Sequence, residues 1–224
     1  MTRMGTSTER TDDLAIRQPR QERTRQAWAR ILDAGVALIE EGGYEAFTIA
    51  AVCERAQVAP RAVYDRTASK DALFLAVYEH GVTRIIADQR AFAELHDREG
   101  APPTELITGA VTALTALFAK HAAFLKPVLL LSGVHPEVLR RGRDHVHRLA
   151  DAFTTVLLAA RDHFTHPDPE AAARQCFATA FSACVVRTAH GADFATTPVD
   201  HDTFTSHLAL STARTLLAPH PAAT

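Results

Sequence analysis

The chain has 224 residues, 47% of them hydrophobic and 22% charged, and a net charge of -2. This is an ordinary globular composition with length for one large or two small domains. It excludes a disordered chain and gives no global positive field that would announce a nucleic-acid partner. Three cysteines, an odd number in apolar helical contexts, fit reduced buried thiols better than a disulfide framework.

From Met1 to about Gln21 the chain is polar and aperiodic, and a disordered basic tail is expected over residues 1–21. The tail has no apolar stretch of the signal-peptide kind, and no apolar run anywhere approaches the ~20 residues that span a bilayer. A cytoplasmic protein with no membrane partner is the expectation. Local positive charge does occur, because Arg17, Arg20, Arg23, Arg25 and Arg30 face Glu22 alone.

A first helix is predicted from about Arg23 to Glu41, with Ala27, Ile31, Ala34 and Leu38 at helical spacing and Gly42-Gly43 as its stop. Tyr44 and Phe47 should fold back as core residues, and the lone Trp28 should pack in the same small domain. Thr48 is placed to cap a short helix whose apolar face is Ile49, Val52, Cys53 and Ala56. After a break at Gln57-Val58, Pro60 opens a second short helix, at the position where a missing N–H costs nothing. That helix should turn Arg61, Tyr64 and Arg66 outward around a buried Val63, and Ser69 should cap the next one. Two short helices at a tight turn, the second carrying hydrogen-bonding side chains, describe a helix-turn-helix.

Gly43-Tyr44-Glu45, the Thr at a helix start, Ala56-x-Val58, Tyr64 and Ser69-Lys70-Asp71-x-Leu73 together resemble the TetR-type repressors over about residues 23–80. The departures are Gln57 where the family usually has Gly, Ala59 where it has Ser or Thr, Arg66 where Tyr or His is frequent, and Thr67 where an aromatic is usual. Gln57 stands where positive φ is expected, at a cost of about 1 kcal/mol to a non-glycine residue.

The resemblance implies an all-α protein. An N-terminal three-helix helix-turn-helix domain (residues 22–70) is joined by a long helix, reaching to about residue 96, to a larger helical ligand-binding and dimerisation domain over 71–224. The expected partners are a double-stranded DNA operator, a small apolar effector and a second copy of the chain. DNA contacts are expected from Thr48, Pro60, Arg61, Ala62, Tyr64, Arg66 and Lys70. Arg61 is suited to guanine edges, and Thr48, Tyr64 and Lys70 to phosphates. Asp65 would repel phosphate unless it pairs with Arg61 or reads cytosine.

Beyond Ser69 an apolar stripe through Leu73, Val77, Val82 and Ile85-Ile86 runs toward Leu95, and Asp97–Pro103 ends it. Helices are then predicted over Thr104–Lys120, His121–Ser132 (with Pro127 as boundary or kink), Pro136–Phe164 with Leu139 near its stripe, Pro169–Ala189 and Asp200–Leu217. Strand-like alternation is absent from the pattern. An effector pocket, implied by the resemblance, would draw on Phe92, Phe118, His121, Phe124, His147, Phe153, Phe177 and Arg187. The last two helices carry small apolar faces suited to a four-helix dimer bundle, with Cys176, Ala180, Ala183, Cys184, Phe204, Leu208 and Ser211 at the interface. A helical carrier module without DNA binding and a constitutive regulator without inducer are the alternatives.

Twelve histidines raise the question of metal. His145 and His147 point to different helix faces, and His163 with His166 has no third ligand close in sequence. Neither a metal site nor a cofactor is therefore expected. Phosphate loops, nucleophile elbows and paired-carboxylate scaffolds are also missing, so an enzyme is not expected.

Overall fold

All regular structure among the described residues is helical. The structure, a computed structural model, describes residues 17–98, 100–195 and 197–218, with side chains from residue 22 onward. The expected tail over residues 1–16 lies outside them. The described residues form ten α-helices in chain order: α1 Arg17–Ala46, α2 Ile49–Ala56, α3 Pro60–Tyr64, α4 Lys70–Asp88, α5 Arg90–His96, α6 Pro103–Lys120, α7 Ala122–Ser132, α8 Pro136–Leu158, α9 Pro169–His190 and α10 His201–Leu217. Two compact units share them, one ending at His80 and one beginning at Gly81, both within α4.

The smaller unit is built on α1 packed against α2 and α4. Ile31, Ala34, Val36 and Ile39 of α1 are buried, and Phe47, Val52, Val63, Leu73 and Val77 complete the core. Gly35 permits a close approach: a Cβ there would lie 2.5 Å from Val77 Cγ2. Helix α1 starts earlier than Arg23, so the backbone of residues 17–21, expected to be tail, is helical. Its regular conformation breaks at Gly43 (φ 66°), where the predicted stop stands. The break lets Tyr44 and Phe47 turn inward, each meeting the Phe74 ring edge-on at centroid distances of 4.9 and 5.6 Å.

In the larger unit α6 is the central helix, buried along Leu106, Ile107, Ala110, Val111, Leu114, Leu117 and Phe118, with α5, α8, α9 and α10 around it. A chain of phenylalanine rings crosses the core. Phe92 meets Phe153, Phe153 meets Phe177, and Phe181 meets both Phe177 and Phe118, with centroids 5.4–6.3 Å apart. Thr205 on α10 donates its hydroxyl proton to Thr115 on α6 at 2.9 Å, satisfying two buried polar groups.

Other details differ from the expected pattern. The single helix from Ser69 toward Leu95 is two helices, α4 and α5, parted at Gln89. Pro127 lies inside α7 rather than at its edge. Helix α8 ends at Leu158, and a 3-10 turn over Arg161–His163 replaces its predicted last turn. Leu139, expected beside the apolar stripe of α8, is 47% exposed, because Val138 takes the inward position. Among the described residues no single helix is long and apolar enough to cross a membrane.

Candidate nucleic-acid interface

The smaller unit presents one polar helix face, and its geometry begins at the caps. Thr48 is extended (φ -123°, ψ 154°), and its hydroxyl oxygen accepts the Ala51 N–H at 3.1 Å, which starts α2. At the other end the Val58 N–H reaches the Cys53 carbonyl at 3.0 Å and the Gln57 N–H reaches Glu54 at 3.1 Å, the pairing of a Schellman cap. That cap requires a left-handed residue, and Gln57 supplies it at φ 53°. Gln57→Gly should therefore raise stability by roughly 0.5–1 kcal/mol, the relief of a strained side chain less the entropy of a freer unfolded glycine. Chemical denaturation of the two proteins measures it; an unchanged or lower midpoint would show that the strain does not exceed that entropy.

Ala59 is extended, as a residue before proline must be, and Pro60 takes the first position of α3. Val63 is fully buried and fixes the rotation of this short helix. The same rotation leaves the Arg61 side chain 89% exposed and Tyr64 58% exposed. Ala62 is half-buried, Pro60 exposed. Thr67, standing where an aromatic was the family expectation, is buried, and its hydroxyl donates to the Val63 carbonyl at 3.2 Å. A hydrogen bond thus closes the end of α3 where a ring would otherwise pack. The Ser69 hydroxyl oxygen accepts the Ala72 N–H at 3.1 Å and opens α4.

Two cations beside this face rest on aromatic rings. The Arg66 guanidinium lies 5.2 Å from the Trp28 ring centroid, and Lys70 Nζ lies 4.2 Å from that of Tyr44. Such contacts hold a cation in place while leaving its outer side to solvent. They were not legible from spacing, since each joins residues far apart in sequence. Burial of Tyr44, with Asp71 and Glu45 nearby, keeps its phenol above the usual range, so it remains a neutral platform. Arg61 and Asp65 approach to only 3.8 Å, both largely exposed, a pair worth about 1 kcal/mol or less. Of the arginines credited with local charge, Arg25 pairs with Glu22, and the Arg30 guanidinium donates to the Ala56 carbonyl at 3.3 Å. Arg30 is in this way part of the end of α2.

In the larger unit the expected pocket residues divide. Phe92, Phe124, Phe153 and Phe177 are buried, and the Phe153 ring packs against those of Phe92 and Phe177. His147 is exposed on α8, because the neighbouring buried Leu149 faces the core. Phe118 and Arg187 line a cavity of about 220 Å³, together with Cys184 and Phe204 from the expected dimer set. Cys176, Ala180, Leu208 and Ser211 lie together along a groove between α9 and α10, and Ala183 is half-buried. Val186 on α9 and Leu210 on α10, which the pattern did not single out, are large apolar residues left exposed. Burial pushes the Cys176 thiol up to about 11 and the Cys184 thiol up to about 12, so both stay protonated near neutrality.

Residues 31–77 match the family described as bacterial regulatory proteins, tetR family. The A-factor receptor protein of Streptomyces griseus is 30% identical over 90 residues, which are 40% of this chain and 29% of that protein. The aligned stretch thus spans less than a third of that relative. A TetR transcription regulator from Haloarcula marismortui has a similar fold (TM-score 0.63, 17% identity, 86% of this chain and 97% of the other). So does a regulator from Saccharomonospora viridis solved in complex with choline (TM-score 0.64, 19% identity, 84% and 94% covered). The resemblance carried by Gly43 to Leu73 is upheld, and the all-helical architecture with an N-terminal helix-turn-helix is that of the TetR-type regulators.

Proposed function

We infer that this chain, a TetR-type reading unit on a TetR-like helical body, is a DNA-binding transcriptional regulator that works as a cytoplasmic homodimer. It holds its operator as a repressor and releases it when a small, mostly apolar molecule binds the larger unit. The observation that carries the reading is the setting of α3: Val63 fully buried beneath, Arg61 and Tyr64 exposed above, with Arg66 and Lys70 held beside them on aromatic rings. A face on which rings position Arg66 and Lys70, and Arg61 meets Asp65 only at 3.8 Å, suits a polyanion. One short helix reads few base pairs, so two copies on one side of the duplex, about 34–36 Å apart, are needed for a selective site. The small-residue groove of α9 and α10, with Val186 and Leu210 exposed on the same two helices, offers an apolar surface for a second copy.

Release follows from population shift. The effector must favour the conformation that cannot span two half-sites, since equal affinity for both conformations would shift nothing. Helix α4 is the physical link, because it begins at Lys70 in the reading unit and ends at Asp88 in the larger one. The names of two similar proteins, an A-factor receptor and a regulator holding choline, lend support to a small-molecule effector here.

Salt dependence tests the reading. With about four cationic phosphate contacts per dimer, duplex affinity should fall on the order of a hundredfold for a fourfold rise in salt, because each contact releases counterions. An affinity indifferent to salt, or a protein that sediments as a monomer at working concentrations, would remove its basis.

A further inference from the structure

A cavity of about 220 Å³ opens between α6, α9 and α10 of the larger unit, lined by Phe118, Ala122, Cys184, Arg187, His201 and Phe204. It has room for roughly seven waters at about 30 Å³ each, yet most of its wall is ring, methyl and buried thiol, which hold water poorly. One polar group stands out. The Arg187 guanidinium is pinned 4.7 Å from the Phe204 centroid and donates one N–H to the Val199 carbonyl at 2.8 Å. It makes no ion pair among the described residues, and a guanidinium has five N–H donors in a fixed fork. Asp200, beside His201, turns its carboxylate to the Thr203 N–H at 2.7 Å as the cap of α10; that bond first, and more weakly the Arg187 charge, holds the carboxyl below its usual range. An apolar chamber with one preset, charge-bearing fork is matched by a short apolar chain that ends in a carboxylate.

The cavity also touches the chain that holds α4. Ala119 and Ala122 belong to its wall. Between them in sequence, Lys120 Nζ and His121 Nε2 both lie 2.7 Å from Asp88 Oδ2, at the last residue of α4. Any occupant that displaces the α6–α7 junction therefore strains this clasp. A second feature keys α7 to α4 nearby: a Cβ on Gly81 would lie 2.3 Å from Phe124 Cζ, so the ring sits directly on the helix backbone.

We propose that the cavity between α6, α9 and α10 binds a short-chain apolar carboxylate through Arg187, and that the Lys120–His121–Asp88 clasp passes its occupancy to α4. The binding half stands alone; the coupling half rests on the regulator reading above.

The test titrates the full chain with octanoate, octanol and octylamine by calorimetry, after melting curves establish that each variant is folded. Octanoate should bind at least tenfold more tightly than octanol or octylamine. Arg187→Met should weaken octanoate about tenfold or more and leave octanol unchanged, as loss of a charge-assisted bond predicts. Thr188→Phe, which fills the cavity, should abolish both. Failure of octanoate to bind, or binding untouched by these two substitutions, overturns the assignment. In a second arm octanoate is added to the protein–duplex complex. Wild type should release duplex, whereas Asp88→Asn should bind octanoate equally well and keep its duplex. An Asp88→Asn protein that releases as wild type does overturns the clasp. A wild type that binds octanoate but never held duplex sinks the regulator reading and leaves the cavity assignment intact.

Discussion

Arg61→Ala should erase most of the preference for the operator over other duplexes. The side chain stands almost wholly in solvent above a buried Val63, so it contributes little to folding. A bidentate arginine–guanine contact is worth roughly 1–3 kcal/mol of discrimination. A dimer has two of them, and for well-separated half-sites the losses add, to roughly 2–6 kcal/mol or on the order of 30-fold to 10⁴-fold. Lys70→Ala should behave differently: it weakens every duplex alike and lowers the salt slope by about one per reading head. Anisotropy titrations with an operator selected from a random duplex pool and a scrambled control separate the two patterns. Removing Arg61 also frees Asp65, 3.8 Å away, to repel phosphate. The double variant Arg61→Ala/Asp65→Ala isolates that part: affinity for both duplexes should recover somewhat, but the ratio between them should not. A ratio unchanged in Arg61→Ala would show that α3 does not read bases through this residue.

Much of the reading unit could be derived from residue order because its signals are local. Thr48 and Ser69 cap the helices they precede, Pro60 starts α3, Gly43 breaks α1, and Gln57 takes the left-handed turn its position demands. Each is decided within four residues. The larger unit was legible as helices but not as boundaries. The apolar stripe of α4 continues into α5, and nothing in the pattern marks Gln89, where the two part. Similarly, Pro127 reads equally as a boundary or a kink, and only the structure places it within α7.

The functional groups divide along the same line. Exposure of Arg61 and Tyr64 followed from the burial of Val63, two positions and one position away respectively. The rings beneath Arg66 and Lys70, the use of Arg30 to finish α2, and the clasp on Asp88 all join distant segments, so no window of sequence contained them. The resemblance implies phenylalanines in a pocket wall. Whether a ring lines a cavity or fills one depends on its neighbour across the core, and Phe153 has Phe92 and Phe177 there. Phe118, at the end of that chain of rings, borders open space.

Phe47→Ala should unfold the reading unit while leaving the larger unit intact. Phe47 is fully buried, meets the Phe74 ring edge-on, and lies against α1 where Gly35 has no side chain: a Cβ there would be 3.1 Å from Phe47 Cε2. Its ring therefore fills the wedge between α1 and α4. Truncation of a buried phenylalanine costs about 3–5 kcal/mol, a large share of the stability of so small a unit. Phe47→Leu, which keeps most of the volume, should cost about 1.5 kcal/mol or less. The chain carries its own reporter, since the single tryptophan, Trp28, lies in this unit beneath Arg66. In urea, the Trp28 fluorescence transition of Phe47→Ala should move to much lower denaturant, and far-UV ellipticity should retain a second transition near the wild-type midpoint. Duplex binding should vanish with the first transition, and octanoate binding should survive until the second. A single transition shifted as a whole would mean that the two units fold as one cooperative body, and that effector and operator are coupled through global stability rather than through α4 alone.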